Sequence, residues 1–252
     1  MAAMSEQLTA RLIRIAGDGG DEIEAYVASP DETDDPGPRG GVLVIHHMPG
    51  FDWASKEIVR RFATLGYDAI CPNLYWREAP GATPTEAAAV ARAAGGVPDA
   101  RFLGDAQGAI DHLRALPTSN GKVGVIGYCS GGRQSVLAAA NLPVDAAVDC
   151  YGAFVTGTPP EGSTRGNLVD QLPSVGAPIL GLFGKEDKFP SPEHVAELDE
   201  ILTANGKPHE FHSYDDAGHS FFSVDRPSYR QAAAMDGWEK IIDFYGRYLS
   251  TA

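Results

Sequence analysis

Sulfur, cationic charge and long apolar runs are all scarce in this chain, and each shortage closes off a class of protein. Only three cysteines occur in 252 residues (Cys71, Cys129 and Cys150), odd in number and without C-x-x-C spacing. That excludes a disulfide framework and points to a reducing compartment with at most one chemically active thiol. Lys and Arg total 20 against 34 Asp and Glu, a formal charge of −14. Such a surface repels phosphate backbones and anionic lipid, so neither nucleic acid nor a membrane surface is an expected partner. No stretch approaches the ~18 apolar residues that cross a bilayer. The opening MAAMSEQLTARLIRIAG has no apolar h-region, so the cytoplasm is the expected location. Internal repeats and low-complexity linkers are also absent.

What remains is an ordinary globular composition, 43% hydrophobic and 21% charged. A chain of this length can bury roughly 75% of its unfolded surface, so a single domain over residues 1–252 is expected. Polar and apolar residues alternate over residues 9–15, a half-buried strand, and residues 23–28 return after Asp18-Gly19-Gly20-Asp21. Residues 41–45 form a continuous apolar run, as in strands buried on both faces of a parallel sheet. Helical spacing over 55–65, a strand at 67–71, and helices over 85–94 and 99–116 follow. Then come strand 123–126, helix 130–140, strands 146–150 and 179–183, helix 192–205, strand 209–214 and a last helix near 230–249. Strands alternating with helices in this way predict an α/β fold, a mostly parallel sheet of about eight strands with helices on both faces.

The sharpest chemical signal is Gly127-Tyr128-Cys129-Ser130-Gly131-Gly132, where an apolar strand gives way to a helix. It has the G-x-S-x-G nucleophile-elbow pattern with cysteine in the serine position, and a helix N-terminus stabilises thiolate. Cys71 and Cys150 lie inside apolar strands and read as inert packing. A nucleophile needs a base, and His219 stands in a polar turn after strand 209–214, at the sheet edge where open α/β folds build their sites. His112, His194, His209 and His212 lie on helices or within a strand and read as packing or solvated residues. Asp187, in Gly184-Lys-Glu-Asp187 after another apolar strand, is the expected orienting carboxylate; Glu186 is adjacent but points elsewhere. Cys129, Asp187, His219 is the nucleophile–acid–base order of the α/β-hydrolase fold.

Backbone N–H groups are the usual material of an oxyanion hole. Ser130, next after the nucleophile, supplies one. The second falls in His46-His47-Met48-Pro49-Gly50, where Pro49 has no N–H and Met48 is the expected donor. His46 and His47 lie next to each other at a strand end, point to opposite faces and lack an acidic or Cys partner at ligand spacing, so no metal is expected. No cofactor is implied either.

From about residue 42 to residue 249 the chain resembles the dienelactone hydrolase (carboxymethylenebutenolidase) family of α/β-hydrolases. The resemblance is carried by Cys71-Pro-Asn-Leu-Tyr75, Ala79-Pro-Gly81, Ser119 to Gly132, Gly184 to Asp187 and Ala217-Gly-His-Ser-Phe221. It implies Cys129 as nucleophile, with Asp187 and His219, and hydrolysis of a lactone or ester through an acyl-thiol intermediate. His47, Tyr75, Arg92 and Phe221 are the substrate contacts expected from it, although Tyr75 equally fits a half-buried loop aromatic. Two departures stand out. Where the best-known members carry a glutamate that keeps the cysteine neutral, this chain has His47, or Met48 if the loop gap is placed differently. Where they carry an arginine four residues after the histidine, it has Ser223, with Arg226 nearby. The first departure predicts a resting thiolate–imidazolium pair; the second weighs against dienelactone itself. The partner expected is a small ester or lactone, the assembly a monomer or small homo-oligomer. A thioesterase or general carboxylesterase on the same triad is the alternative, and a non-catalytic binder or redox-sensing thiol the alternative of another class. Residues 74–98 and 154–176 are long segments after strand ends and are expected to shape the pocket.

Overall fold

The computed structural model describes residues 7–33, 37–159, 161, 163 and 165–250. Eight strands form one sheet: β1 (Leu8–Ala16), β2 (Glu22–Pro30), β3 (Arg39–Ile45), β4 (Asp68–Pro72), β5 (Ser119–Tyr128), β6 (Ala146–Cys150), β7 (Ile179–Gly184) and β8 (His209–Tyr214). Their spatial order is β1-β2-β4-β3-β5-β6-β7-β8. The β1–β2 and β2–β4 pairs are antiparallel and every later pair is parallel. The six helices among the described residues are α1 (Trp53–Thr64), α2 (Pro84–Ala93), α3 (Asp99–Arg114), α4 (Ser130–Asn141), α5 (Pro192–Ala204) and α6 (Gln231–Tyr248).

Strand periodicity splits the interior into two apolar layers. Along β3, Val42 and Val44 face the layer built with α1 and α6, while Leu43 and Ile45 face the layer built with α2, α3, α4 and α5. All seven residues of β3 are buried, which is why its sequence after Arg39 is a continuous run without polar side chains rather than alternating. Buried charge at its start is paired: Arg39 Nε lies 3.1 Å from Asp68 Oδ1, and Thr118 donates its hydroxyl to Asp68 at 2.8 Å. Helix starts follow local chemistry. The Asp52 carboxylate accepts from the Ser55 N–H at 2.9 Å, and Thr83 with Glu86 closes a reciprocal cap before α2.

One sequence expectation needs correcting. Strand β1 is not half-buried: it is the sheet edge, with Leu12 52% exposed and, along β1, only Ile15 buried. The alternating pattern was real, but an edge strand has a neighbour on one side only. Residues 154–176 also contain a short 3₁₀ segment, Val169–Ser174, whose single buried residue, Leu172, joins the α4 side of the core. No helix among the described residues is long and apolar enough to cross a membrane.

Phe62 of α1 is fully buried, with the rings of Tyr67, Trp238 and Tyr245 at 6.2, 5.5 and 5.8 Å. Phe62→Ala should therefore lower unfolding free energy by about 3–5 kcal/mol in urea titrations. A loss below about 1 kcal/mol would mean that α6 does not depend on this contact.

Candidate active site

Parallel strands deliver their carboxyl ends to one edge, and four of them place chemistry there. Strand β5 leads to Cys129, β7 to Asp187, β8 to His219 and β3 to His46, His47 and Met48. Cys129 has φ 58° and ψ −119°, a conformation in which a non-glycine residue is strained. The chain must turn from strand to helix at this one residue, and its neighbours permit it. A methyl group on Gly127 would lie 1.9 Å from the Gly131 carbonyl oxygen, and one on Gly131 would lie 2.6 Å from that of Ile45. Only glycine lets α4 approach β5 and β3 so closely.

The imidazole of His219 is held on one side by carboxylate and faces sulfur on the other. Its Nδ1 lies 2.7 Å from Asp187 Oδ2, while Asp187 Oδ1 accepts from the Phe189 N–H at 2.9 Å. The Asp187 side chain is 2% exposed, so the carboxylate is locked in place. Glu186, its neighbour, is exposed at the cavity rim. The remaining imidazole nitrogen shares a hydrogen bond with the Cys129 sulfur. The ring of Tyr151 meets that of His219 edge-on at 5.2 Å, from a residue with φ 45°.

Burial alone would raise the Cys129 thiol pKa. The hydrogen bond and charge of His219, with the Ser130 and Met48 N–H groups facing the sulfur, reverse that and hold it below its ordinary value. Burial likewise disfavours charge on His219, but the Asp187 carboxylate and the Cys129 sulfur push its pKa up to about 10. The site therefore favours thiolate beside imidazolium.

A cavity of about 700 Å³ opens over the sulfur. Leu74, Tyr75, Val97, Phe154 and Phe189 give it apolar walls, with the Phe154 and Phe189 rings 5.4 Å apart. Met48, Ser130, Asp187, His219 and Tyr75 all border this space, and Arg92 reaches it from an exposed position at the rim.

Two expected substrate contacts are not brought here. The His47 ring points to the other side of β3, 2.7 Å from Asp52 Oδ2, and lines a separate cavity of about 100 Å³ with Ser223. Phe221 is fully buried in the α6 layer, packed on Tyr151, Tyr214 and Phe222. The first follows from the chain leaving β3 after Ile45. Continued strand alternation would set His47 on the cavity side with Leu43 and Ile45, and the turn puts His46 there instead. The second follows from a turn that sends His219 outward and Phe221 into the core. Arg226 is exposed and outside the cavity.

Sequence reading missed Arg165, Arg133 and Phe154. Arg133 of α4 is buried, makes paired bonds of 2.8 and 2.7 Å to Asp99, and donates to the Gly166 carbonyl at 2.7 Å. It thus ties down the segment carrying Arg165, whose half-buried guanidinium lines the cavity without a carboxylate in ion-pair range among the described residues. The length of residues 154–176 was the only sequence signal for Arg165 and Phe154. Among the described residues no group of three or more His, Cys, Asp or Glu is placed to hold a metal ion.

Residues 23–249 match the family model described as "Dienelactone hydrolase family". A "Putative carboxymethylenebutenolidase" of Escherichia coli K12 is 36% identical over 238 residues, spanning 91% of this chain and 84% of that protein. The "Carboxymethylenebutenolidase" of Pseudomonas putida is 32% identical over 245 residues, spanning 92% and 94%. The crystal structure of a "Putative Dienelactone Hydrolase" from Klebsiella pneumoniae superposes with TM-score 0.84 at 29% identity, covering 96% of this chain and 100% of that one. The architecture is the α/β-hydrolase fold.

Thiolate ultraviolet absorbance followed against pH, with Cys129→Ala as blank, should show Cys129 titrating below the free value of ~8.5. His219→Ala should move that midpoint upward. A wild-type midpoint at or above the free value would contradict the electrostatic reading.

Proposed function

The chain belongs to the dienelactone hydrolase family, and from that premise we propose that it hydrolyses a carboxylic ester or lactone through a Cys129–His219–Asp187 triad and an acyl-thiol intermediate. The observation that carries this reading is the hydrogen-bonded run from Asp187 through His219 to the Cys129 sulfur at the floor of the cavity. An inert thiol or a simple redox sensor has no use for an oriented imidazole–carboxylate pair.

In the proposed cycle the Cys129 thiolate attacks the carbonyl carbon, and the negative charge moves to the carbonyl oxygen. The Ser130 and Met48 N–H groups receive it, each such donor being worth about 2.7–4 kcal/mol in comparable enzymes. As the tetrahedral species collapses, the imidazolium of His219 gives its proton to the departing alkoxide. Neutral His219 then takes a proton from water, which attacks the thioester and frees the acid. Asp187 keeps the imidazole in one orientation throughout and stabilises its charged form.

Where the family's best-known members carry a glutamate, the resemblance puts His47, or Met48 if the loop gap is placed differently, and the His47 ring is drawn off to Asp52. The cavity's charge also supports a choice of substrate. Burial and the neighbouring charge of Arg133 disfavour the Arg165 cation, holding its pKa below the usual range, and an anion beside it relieves both. Together with Arg92 this supports an ester or lactone that carries a carboxylate, its apolar part lying against Phe154 and Phe189.

Cys129→Ala should abolish turnover of nitrophenyl esters and lactones while leaving circular dichroism unchanged; turnover comparable to wild type would refute the assignment. The kcat/KM profile should be bell-shaped. Activity falls at low pH as the thiolate is protonated below its depressed pKa, and at high pH as His219 loses its proton near about 10. An acid limb centred at the free thiol value would oppose a preformed pair. Arg165→Met should raise KM about tenfold for a carboxylate-bearing ester and leave a neutral analogue within about twofold; equal effects on both would remove Arg165 from substrate recognition.

A further inference from the structure

His46 follows the last residue of β3, with its ring buried at the base of the cavity, 2% exposed. Both ring nitrogens have backbone partners. The Leu74 N–H points at Nε2 from 3.3 Å, and Nδ1 lies 2.9 Å from the His47 carbonyl oxygen. An N–H can only donate and a carbonyl can only accept, so one tautomer satisfies both contacts: hydrogen on Nδ1, none on Nε2. Burial lowers the ring's pKa to about 4, so it stays neutral over the range where the thiolate exists.

The His47 carbonyl oxygen also accepts from the Gly50 N–H at 2.9 Å, and the added bond from His46 matters because of the group on the opposite side of that peptide. The same planar unit carries the Met48 N–H, which faces the Cys129 sulfur. Carbonyl and N–H of a trans peptide point in opposite directions, so holding the oxygen fixes where the N–H aims. A hydrogen bond accepted at the oxygen also polarises the amide and strengthens its donor end. The next peptide is tied from its oxygen too. The Tyr75 hydroxyl donates to the Met48 carbonyl at 2.9 Å, and its ring stands edge-on to His46 with centroids 4.7 Å apart. The His47 side chain is anchored away from the cavity by Asp52.

We propose that His46 is the positioning residue of the oxyanion hole: its Nδ1–H clamps the His47–Met48 peptide so that the Met48 N–H points to the developing oxyanion. The role rests on the reading of Cys129 as nucleophile, and it is served through the backbone, without contact between His46 and the reacting atoms. Tyr75 supports the same segment from the following peptide.

Two substitutions separate a clamp from a packing residue. In His46→Asn the side-chain amide nitrogen can take the place of Nδ1 and keep the donor to His47. In His46→Gln the longer amide reaches the place of Nε2 and meets Leu74 instead. His46→Asn should keep kcat within about threefold of wild type. His46→Gln should lower kcat about tenfold or more, a fraction of the loss seen when an oxyanion donor is removed outright, with KM within about twofold. The Cys129 thiol midpoint should rise in His46→Gln and stay near wild type in His46→Asn. Equal loss of kcat in both variants, no loss in either, or the same thiol midpoint in both would overturn the proposal. The wild-type protein supplies a test that needs no variant: nitrogen-detected long-range NMR correlations should show His46 protonated at Nδ1 from about pH 5 to about pH 8. An Nε2–H tautomer, or titration within that range, would overturn it. The thiol midpoint and the tautomer are read whether or not any ester is turned over, so failure of the clamp and failure of the proposed activity give different results.

Discussion

The positive φ of Cys129 is the constraint on which the rest of the site depends. Strand β5 must become helix α4 within one residue, and that residue carries the sulfur. The reversal lifts the side chain off the sheet and into the cavity, and sets it beside the Ser130 N–H at the start of α4. It is possible only because α4 packs hard against β5 and β3, where Gly127 and Gly131 leave no room for a side chain. Such strain survives when the surrounding structure over-determines it. Here α4 is buried along nearly its whole length, and the two apolar layers on either side of the sheet hold the strand ends in register.

Around that fixed sulfur the charges are arranged with one proton to share. Asp187 is sealed from solvent and grips one nitrogen of His219, while the other faces the thiol. The turn that follows Ile45 divides the two histidines after β3 between the two sides of the sheet. His46 stays under the cavity with its ring neutral, and His47 leaves for Asp52. The sulfur thus sits among the Ser130 and Met48 N–H groups and the His219 imidazole, whose Nδ1 is held by Asp187. Further out, Arg133 is paired with Asp99, whereas the Arg165 guanidinium lines the cavity with no carboxylate in ion-pair range among the described residues. A chain with a formal charge of −14 thereby keeps a locally cationic pocket wall.

Much of this was legible in the residues, and the reasons differ by element. Continuous apolar runs revealed the buried parallel strands, and β6 and β8 run over 146–150 and 209–214 as their sequences suggest. The Gly-Tyr-Cys-Ser-Gly-Gly motif marked the elbow because its glycines are demanded by close backbone approach, a local requirement. Exposure of β1 was not readable, since alternation looks the same on an edge strand as on an inner one. Phe221 was misplaced because its turn reverses direction: Ser220 has φ 65°, and one such residue decides which side chains face the site. Arg165 was invisible for another reason. Its position depends on Arg133 and Gly166, contacts between segments far apart in sequence that no spacing rule encodes. The His46 contact with Leu74 escaped likewise, because it joins a side chain to a backbone N–H of a different loop.

The central claim is that the sulfur of Cys129 becomes covalently acylated during turnover, and intact-mass spectrometry of acid-quenched reaction mixtures tests it most directly. Mixing the wild-type protein with excess nitrophenyl acetate and quenching early should give a species heavier by one acetyl group. Peptide mapping should place that group on Cys129 alone, and hydroxylamine should remove it. Turnover without any acylated protein, or acylation at another residue that forms and decays at the rate of turnover, would contradict the account.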